Sequence, residues 1–271
     1  MVKLHTIFGG KNPHPMFLVG GVPNPIDLNS DSAVNAKKLA VIQNVINGMR
    51  TFVDQVYVPD TIAVAGFYKD WFARGEGLGN FLVMGDFPSA TAGTDLRDPA
   101  SWWIQPGAIL DRDLSTVHDI DIRDPSQVQE FVNHSWYDYA GGKDQGLHPW
   151  DGETALDYKG RGGPDAPYKQ LNVDDGYSWL KSPRWKGHAM EVGPLARVLI
   201  AYLRKSSPAL NKTVDSVLSA FNATPDALNS VLGRHAARAI ECKLVADRCA
   251  QWIDMLEPGK PTFQDFEIPE R

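Results

Sequence analysis

A chain of 271 residues that is 43% hydrophobic is long enough to bury one sizeable core or two smaller ones. Its net charge of −6 excludes the basic footprint of a nucleic-acid binder. No apolar run approaches the roughly 18 residues that cross a bilayer, and Met1-Val-Lys-Leu-His5 lacks a signal peptide's apolar stretch before Gly9 and Gly10. The expectation is a protein without signal peptide or transmembrane segment, soluble or held at a membrane only through partners.

Residues 1–28 are rich in Gly and Pro with short apolar runs, which predicts short strands or extended loop with turns at Gly9-Gly10 and Gly20-Gly21. Asp31 or Ser32 then caps a long helix, whose stripe Val34, Val41, Val45, Met49, Phe52, Val53 and Val56 faces a core. Pro59 ends it, and a shorter amphipathic piece follows to Trp71. Between Gly75 and Asp121 the period changes. Phe81-Leu-Val-Met84, Trp102-Trp-Ile104, Ala108-Ile-Leu110 and Val117-His-Asp-Ile120 read as short strands between turns.

Asp124-Pro125 reads as a helix start, with Val128, Phe131 and Val132 on its inner face. Residues 138–176 hold eleven Gly and Pro among many Asp and Lys, so a long loop is expected, with Gln145-Gly-Leu-His-Pro-Trp-Asp151 its most specific element. Helix returns at 191–204, weakly around 213–221, and strongly from Thr224-Pro225 to Pro258. The fold class is α+β and helix-dominated: helical over 31–72, β-rich over 75–121, helical over 124–137, loop over 138–176 and helical over 191–257. The long helices suit a bundle with a small β-rich insertion.

The most constrained stretch is Tyr177-Ser-Trp-Leu-Lys-Ser-Pro-Arg-Trp-Lys-Gly-His-Ala-Met-Glu-Val-Gly-Pro-Leu-Ala-Arg197, read as a tightly specified loop that feeds a buried helix. Pro194 suits the first turn of that helix, and Glu191 the positive end of its dipole. Arg184, Lys186, Glu191 and Arg197 make either a partly buried charge network or ordinary helix-start contacts. Lys11-Asn-Pro-His-Pro15 fixes His14 between two rigid residues; it is either an interface histidine or a turn in which Asn12 and His14 satisfy backbone groups.

The usual catalytic constellations are missing. No His pair stands at i, i+4; His118 with Asp119 and Asp121 fits an exposed strand edge as well as a metal cluster. Gly75-Glu-Gly-Leu-Gly79 lacks the strand that a dinucleotide-binding loop needs ahead of it. Cys242 and Cys249 lie seven apart in one expected helix, too far to bridge and wrongly spaced for a metal clasp, so they read as small apolar side chains on a buried face.

Lys181-Ser-Pro-Arg-Trp-Lys-Gly-His-Ala-Met-Glu-Val-Gly-Pro-Leu-Ala-Arg197 resembles a signature of the large subunit of nickel–iron hydrogenases, of the uptake, membrane-associated type. Phe8-Gly-Gly-Lys-Asn-Pro-His-Pro15 followed by Val19-Gly-Gly-Val-Pro23 resembles a second stretch of that family, and Gln127-Val-Gln-Glu-Phe-Val-Asn-His-Ser-Trp-Tyr137 fits as well. The resemblance implies H2 oxidation, a nickel–iron centre carrying CO and cyanide, an iron–sulfur small subunit as partner, and a place on the periplasmic side of the membrane reached through that partner. Family members hold the metals with cysteines from two Cys-x-x-Cys pairs, and this sequence contains neither. It therefore reads as the central part of such a subunit, with no catalytic, cofactor-binding or metal-binding residue of its own. Lys11, Asn12, His14, Arg184, Glu191 and Arg197 remain as candidates for bracing the metal surroundings or meeting the partner. The alternative is an inert scaffold or interaction module without metal ligands.

Overall fold

The computed structural model describes residues 2–14, 24–88, 98–151, 154–157, 171 and 173–259. The chain is a mixture of helix and sheet and divides into two units, residues 1–61 with 241–271, and residues 62–240.

In the first unit the expected extended start is instead helix α1 (Val2–Gly9). Leu4 turns inward with Ile7 and Phe8 beside it, and Gly10 at φ 76° closes the helix by donating its N–H to the Thr6 carbonyl. Helix α2 (Ala36–Phe52) is capped by Asn35, whose side chain accepts from the Lys38 N–H, so the cap lies three or four residues beyond Asp31 and Ser32. The stripe is also displaced. Ile42, Ile46 and Val53 are buried, whereas Val41, Phe52 and Val56 are exposed, because both sets recur at helical spacing and packing against Leu4, Ile26 and Val34 selects one of them. Pro59 does not end the helix: a π-helical turn (Val53–Tyr57) widens the coil just ahead of it, and helix α3 (Val58–Phe67) continues. The wide turn is where a proline lacking its N–H fits without breaking the coil.

The last helix, α6 (Val231–Asp254), contributes Cys249 and Ile253 to this first core. It also supplies a charge relay. Arg50 Nε bonds Asp247 Oδ1 at 2.9 Å, and Lys243 Nζ bridges Asp54 at 2.7 Å and Asp247 at 3.1 Å. Partial burial alone would raise the Asp247 pKa, but the bonds from Arg50 and Lys243 outweigh it and hold the carboxyl below its ordinary value. A depressed folded-state pKa adds stability that is complete above the unfolded value of about 3.9 and is lost as pH falls through the folded one. Asp247→Asn should therefore lower stability at pH 7 and narrow its gap to the native chain below about pH 4; urea unfolding at pH 7 and pH 3 that gave one constant gap would contradict this.

The second unit holds strands β1 (Phe81–Val83), β2 (Asp86–Pro88), β3 (Trp102–Ile104) and β4 (Gly107–Ile109). They form two antiparallel pairs, β1 with β4 and β2 with β3. The expected helix over 124–137 is a single turn followed by strand β5 (Val128–Phe131). Asp124 caps that turn by accepting from the Ser126 N–H at 2.9 Å and the Gln127 side chain at 2.9 Å. Beyond it, pairing with strand β8 (Ser182–Trp185) overrides the local start signal. Part of the expected long loop forms a short hairpin, β6 (Tyr137–Asp138) with β7 (Ala155–Leu156); much of the rest lies outside the described residues.

The constrained stretch is not a loop. It is the hairpin of β8 and β9 (His188–Ala189), closed by Lys186 and Gly187 at φ 47° and 83°, the sign pair of a type I′ turn. Trp185 and Met190 enter the core with Leu82, Ala108 and Val128. Helix α4 (Pro194–Leu203) begins at Pro194 as expected and packs on β1, β3 and β4, with Leu195, Ala196, Val198, Leu199, Ile200 and Ala201 all buried. Helix α5 (Pro208–Phe221) follows, longer than its sequence signal and capped by Ser207. The expected last helix is divided. Pro225–Leu228 is a 3-10 turn, and α6 begins only after Asn229 and Ser230.

Candidate functional site

The second unit gathers partly buried charge where the hairpin returns to the sheet. After β9 the backbone of Glu191 joins β1 in register: its N–H donates to the Asn80 carbonyl at 2.8 Å, and the Leu82 N–H donates to its carbonyl at 2.9 Å. The carboxylate thus held meets Arg234 of α6 in a two-pronged pair, Nε to Oε1 at 2.7 Å and Nη2 to Oε2 at 2.6 Å. Planar guanidinium and carboxylate match in this arrangement, which is stronger and more directional than a single contact. The side chains are 26% and 21% exposed, so the pair is partly withdrawn from water. Its hydrogen bonds hold the Arg234 guanidinium still more firmly protonated than usual.

The remaining Arg234 donors go to backbone. Nη1 reaches the Gly75 carbonyl and Nη2 the Glu76 carbonyl at 3.3 Å, with the Asn229 Oδ1 at 3.5 Å. This explains the glycines at 75, 77 and 79, all at positive φ. A Cβ on Gly77 would lie 2.7 Å from Arg234 Nη2 and 3.2 Å from Glu191 Oε2, and one on Gly79 would lie 2.5 Å from the Arg112 side chain. The loop is a cradle for two arginines, not for a phosphate. Arg112 in turn bonds Glu76 and lowers that exposed carboxylate's pKa. Asn80 ties the parts together, its amide donating to the Ala189 carbonyl at 3.0 Å and accepting from the Asp111 N–H at 2.8 Å.

Of the candidates Lys11, Asn12, His14, Arg184, Glu191 and Arg197, Glu191 sits in this cluster, as does the Gly75–Gly79 loop. Arg184 lies on β8 with its guanidinium over the Phe131 ring at 5.1 Å and Nη1 donating to the Pro183 carbonyl. Lys186 lies over the Trp185 ring. Arg197 stands half-buried in the first turn of α4. In the first unit, Lys11, Asn12 and His14 occupy an exposed turn after α1, where Asn12 Oδ1 meets His5 Nδ1 at 2.9 Å and His14 has φ 54°. Pro15 and residues 19–23 lie outside the described residues. Sequence reasoning missed Arg234, Asn80 and Asn229. Arg234 lies among apolar positions of a helix, and only its wealth of donors near a partly buried carboxylate could have marked it.

The donors for a soft metal do not fit. The two cysteines stand seven apart on α6. Cys249 is packed with Ile42, Ile46 and their neighbours, and burial pushes its thiol pKa up, opposite to what a thiolate ligand requires. Cys242 is exposed. Among the described residues no group of three or more His, Cys, Asp or Glu is arranged to hold a metal ion. An open polar cleft of about 470 Å³ lined by Asp144, Asp157, Asp174 and Asp175 is braced by Lys143, which bonds Asp157 and the Ser135 carbonyl.

The fold is similar to that of hydrogenase chains. Structural similarity runs over 99% of this chain and 49% of a chain of the Ni-Fe-Se hydrogenase of Desulfomicrobium baculatum, at a TM-score of 0.69 and 28% identity. A chain of the enzyme from Desulfovibrio vulgaris Hildenborough matches at a TM-score of 0.70 and 27% identity, over 99% of this chain and 49% of that one. The chain belongs to the nickel-dependent hydrogenase family, which it matches over residues 1–268. It is 46% identical over 250 residues to the uptake hydrogenase large subunit of Rhizobium leguminosarum bv. viciae, covering 89% of this chain and 41% of that one. It is 41% identical over 264 residues to the hydrogenase-1 large chain of Escherichia coli K12, covering 94% and 43%. The chain thus spans less than half the length of these relatives.

Proposed function

We propose that this chain is the central part of the large subunit of a nickel–iron hydrogenase that, when complete, oxidises H2 to protons and electrons. The family match over residues 1–268 supports this reading. In it the chain is scaffold. The helices belong to a helix-dominated bundle of the complete subunit, and the pair Glu191–Arg234 fixes the signature hairpin, already paired with β1, against the start of α6, so that the elements bordering the metal pocket keep one geometry.

Arg184 and Arg197 brace the same surroundings. Lys11, Asn12 and His14 are assigned to contact with an iron–sulfur small subunit, which suits their exposure. The nickel–iron centre, with CO and cyanide on iron, would supply the cleavage of H2 and is held by thiolates from outside this chain. The complete enzyme would lie on the periplasmic side of the membrane through its partner. Among the described residues no helix is long and apolar enough to cross a membrane.

The purified chain is expected to give no H2-dependent dye reduction. The DNA flanking its gene is expected to encode the two Cys-x-x-Cys segments or a small subunit. Dye reduction by the chain alone would overturn the assignment.

A further inference from the structure

In the first unit, helix α2 carries a second apolar face. Ile42 and Ile46 pack into the core, and the residues just before them, Val41 and Val45, begin a row about 100° round the coil. Val41, Phe52 and Val56 on this row are 43%, 56% and 40% exposed, and a Cβ on Gly48 would meet nothing within 4 Å. Val41, Val45, Gly48 and Phe52 are spaced by four, three and four residues, the seam on which one helix seats another. Val56 comes one position late for that seam, and the π-helical turn Val53–Tyr57 supplies the extra residue that brings it into line. The flank of the row is equally unlike a solvated surface. From Leu39 to Met49 the sequence carries no charge, and its exposed polar side chains are the amides Gln43, Asn44 and Asn47. A helix that is apolar on two sides belongs in an interior.

We infer that this face of α2 receives an apolar helix from the part of the complete large subunit that this chain does not contain, an inference that rests on the function proposed above. The spacing of the row selects a helix as occupant. The lack of charge fits a permanent neighbour better than a partner that comes and goes. The length is available, since the chain covers 41% of the Rhizobium leguminosarum subunit and 43% of the Escherichia coli one. A second copy of this chain gains little here. Three partly exposed side chains fall well short of the roughly 800 Å² per partner that a stable interface buries, whereas a helix on the same polypeptide is already held nearby.

Hydroxyl-radical footprinting and photo-cross-linking test this on the chain alone and on a chimera in which it replaces the matched segment of the Escherichia coli hydrogenase-1 large chain. The chimera supplies the remaining polypeptide whatever flanks this gene, so flanking DNA without the expected segments would sink the proposed function and leave this test in place. Phe52 should oxidise readily in the chain alone and several-fold more slowly in the chimera. With Phe52→p-benzoylphenylalanine, the chimera should cross-link to a segment of the Escherichia coli portion of the same polypeptide. Equal oxidation in both proteins, or a cross-link to a second copy or to a small subunit, would overturn the inference. So would a Phe52 already protected in the chain alone, a result that stands even if the chimera fails to fold.

Discussion

Gly233→Ala is expected to destabilise the second unit by at least about 3 kcal/mol, well beyond the effect of an ordinary glycine replacement in a helix. Gly233 is the third residue of α6, and the chain folds back on itself there. A Cβ at this position would lie 2.0 Å from the Leu228 carbonyl oxygen and 2.3 Å from two further backbone atoms of Leu228. None of these can rotate away as a side-chain tip would. Leu228 is 1% exposed, the Ser230 N–H donates to its carbonyl at 2.8 Å, and Ser230 Oγ accepts from the Gly233 N–H at 3.0 Å. Moving Leu228 therefore disturbs the cap of α6 and the neighbouring Asn229 together. Gly48→Ala is the control. Gly48 lies in α2 with nothing within 4 Å of the added carbon, so alanine there should stabilise by about 0.5–1 kcal/mol. Thermal unfolding would show the pair moving in opposite directions, with the Gly233→Ala midpoint lower by roughly 6 °C or more.

Arg234→Met should cost about 2–3 kcal/mol. Removing one member of a fully buried ion pair costs about 3–5 kcal/mol, and the 26% and 21% exposure of this pair reduces that figure because water reaches the abandoned carboxylate. The loss includes the bonds to the Gly75 and Glu76 carbonyls, which no methionine replaces. Arg234→Lys should recover only part of it, since an ammonium cannot make the two-pronged pair. Glu191→Gln, which keeps a hydrogen-bond acceptor, should be milder than Arg234→Met. A double-mutant cycle should give a coupling of about 1–3 kcal/mol between the two positions. Amide exchange should speed up first at 75–80 and 189–192, the segments that the arginine ties down, and a variant with native exchange there would show that the pair is dispensable.

Much of this architecture can be read from the residues, with one recurring kind of error. Pro194 marks the start of α4 because a fixed φ at the first helical position has few other uses. The short apolar runs at 81–84, 102–104 and 108–110 coincide with strands because turn residues isolate each one. Errors arise where two local patterns compete and a distant partner decides. Asp124-Pro125 opens a turn as its chemistry dictates, but Val128–Phe131 pairs with a strand some fifty residues later in the sequence. The stripe of α2 offers two equivalent faces until Leu4 and Ile26 are packed on one of them.

The same reasoning accounts for the site. Glu191 is conspicuous between Met190 and Val192, whereas Arg234 is an ordinary helical arginine until the fold brings it to a carboxylate. Gly75, Gly77 and Gly79 suggest a ligand loop from their spacing alone. Their left-handed backbone serves instead to bring carbonyls and side-chain space to two arginines, which spacing does not reveal.

We propose that this chain carries the family's framework without the set of sulfur donors that a nickel centre needs. Nickel content measured by mass spectrometry on the chain, purified from cells grown with nickel, tests it most directly. Far less than one nickel per chain is expected, unchanged when Cys242 and Cys249 are replaced by serine. One tightly held nickel per chain, lost on those replacements, would contradict it.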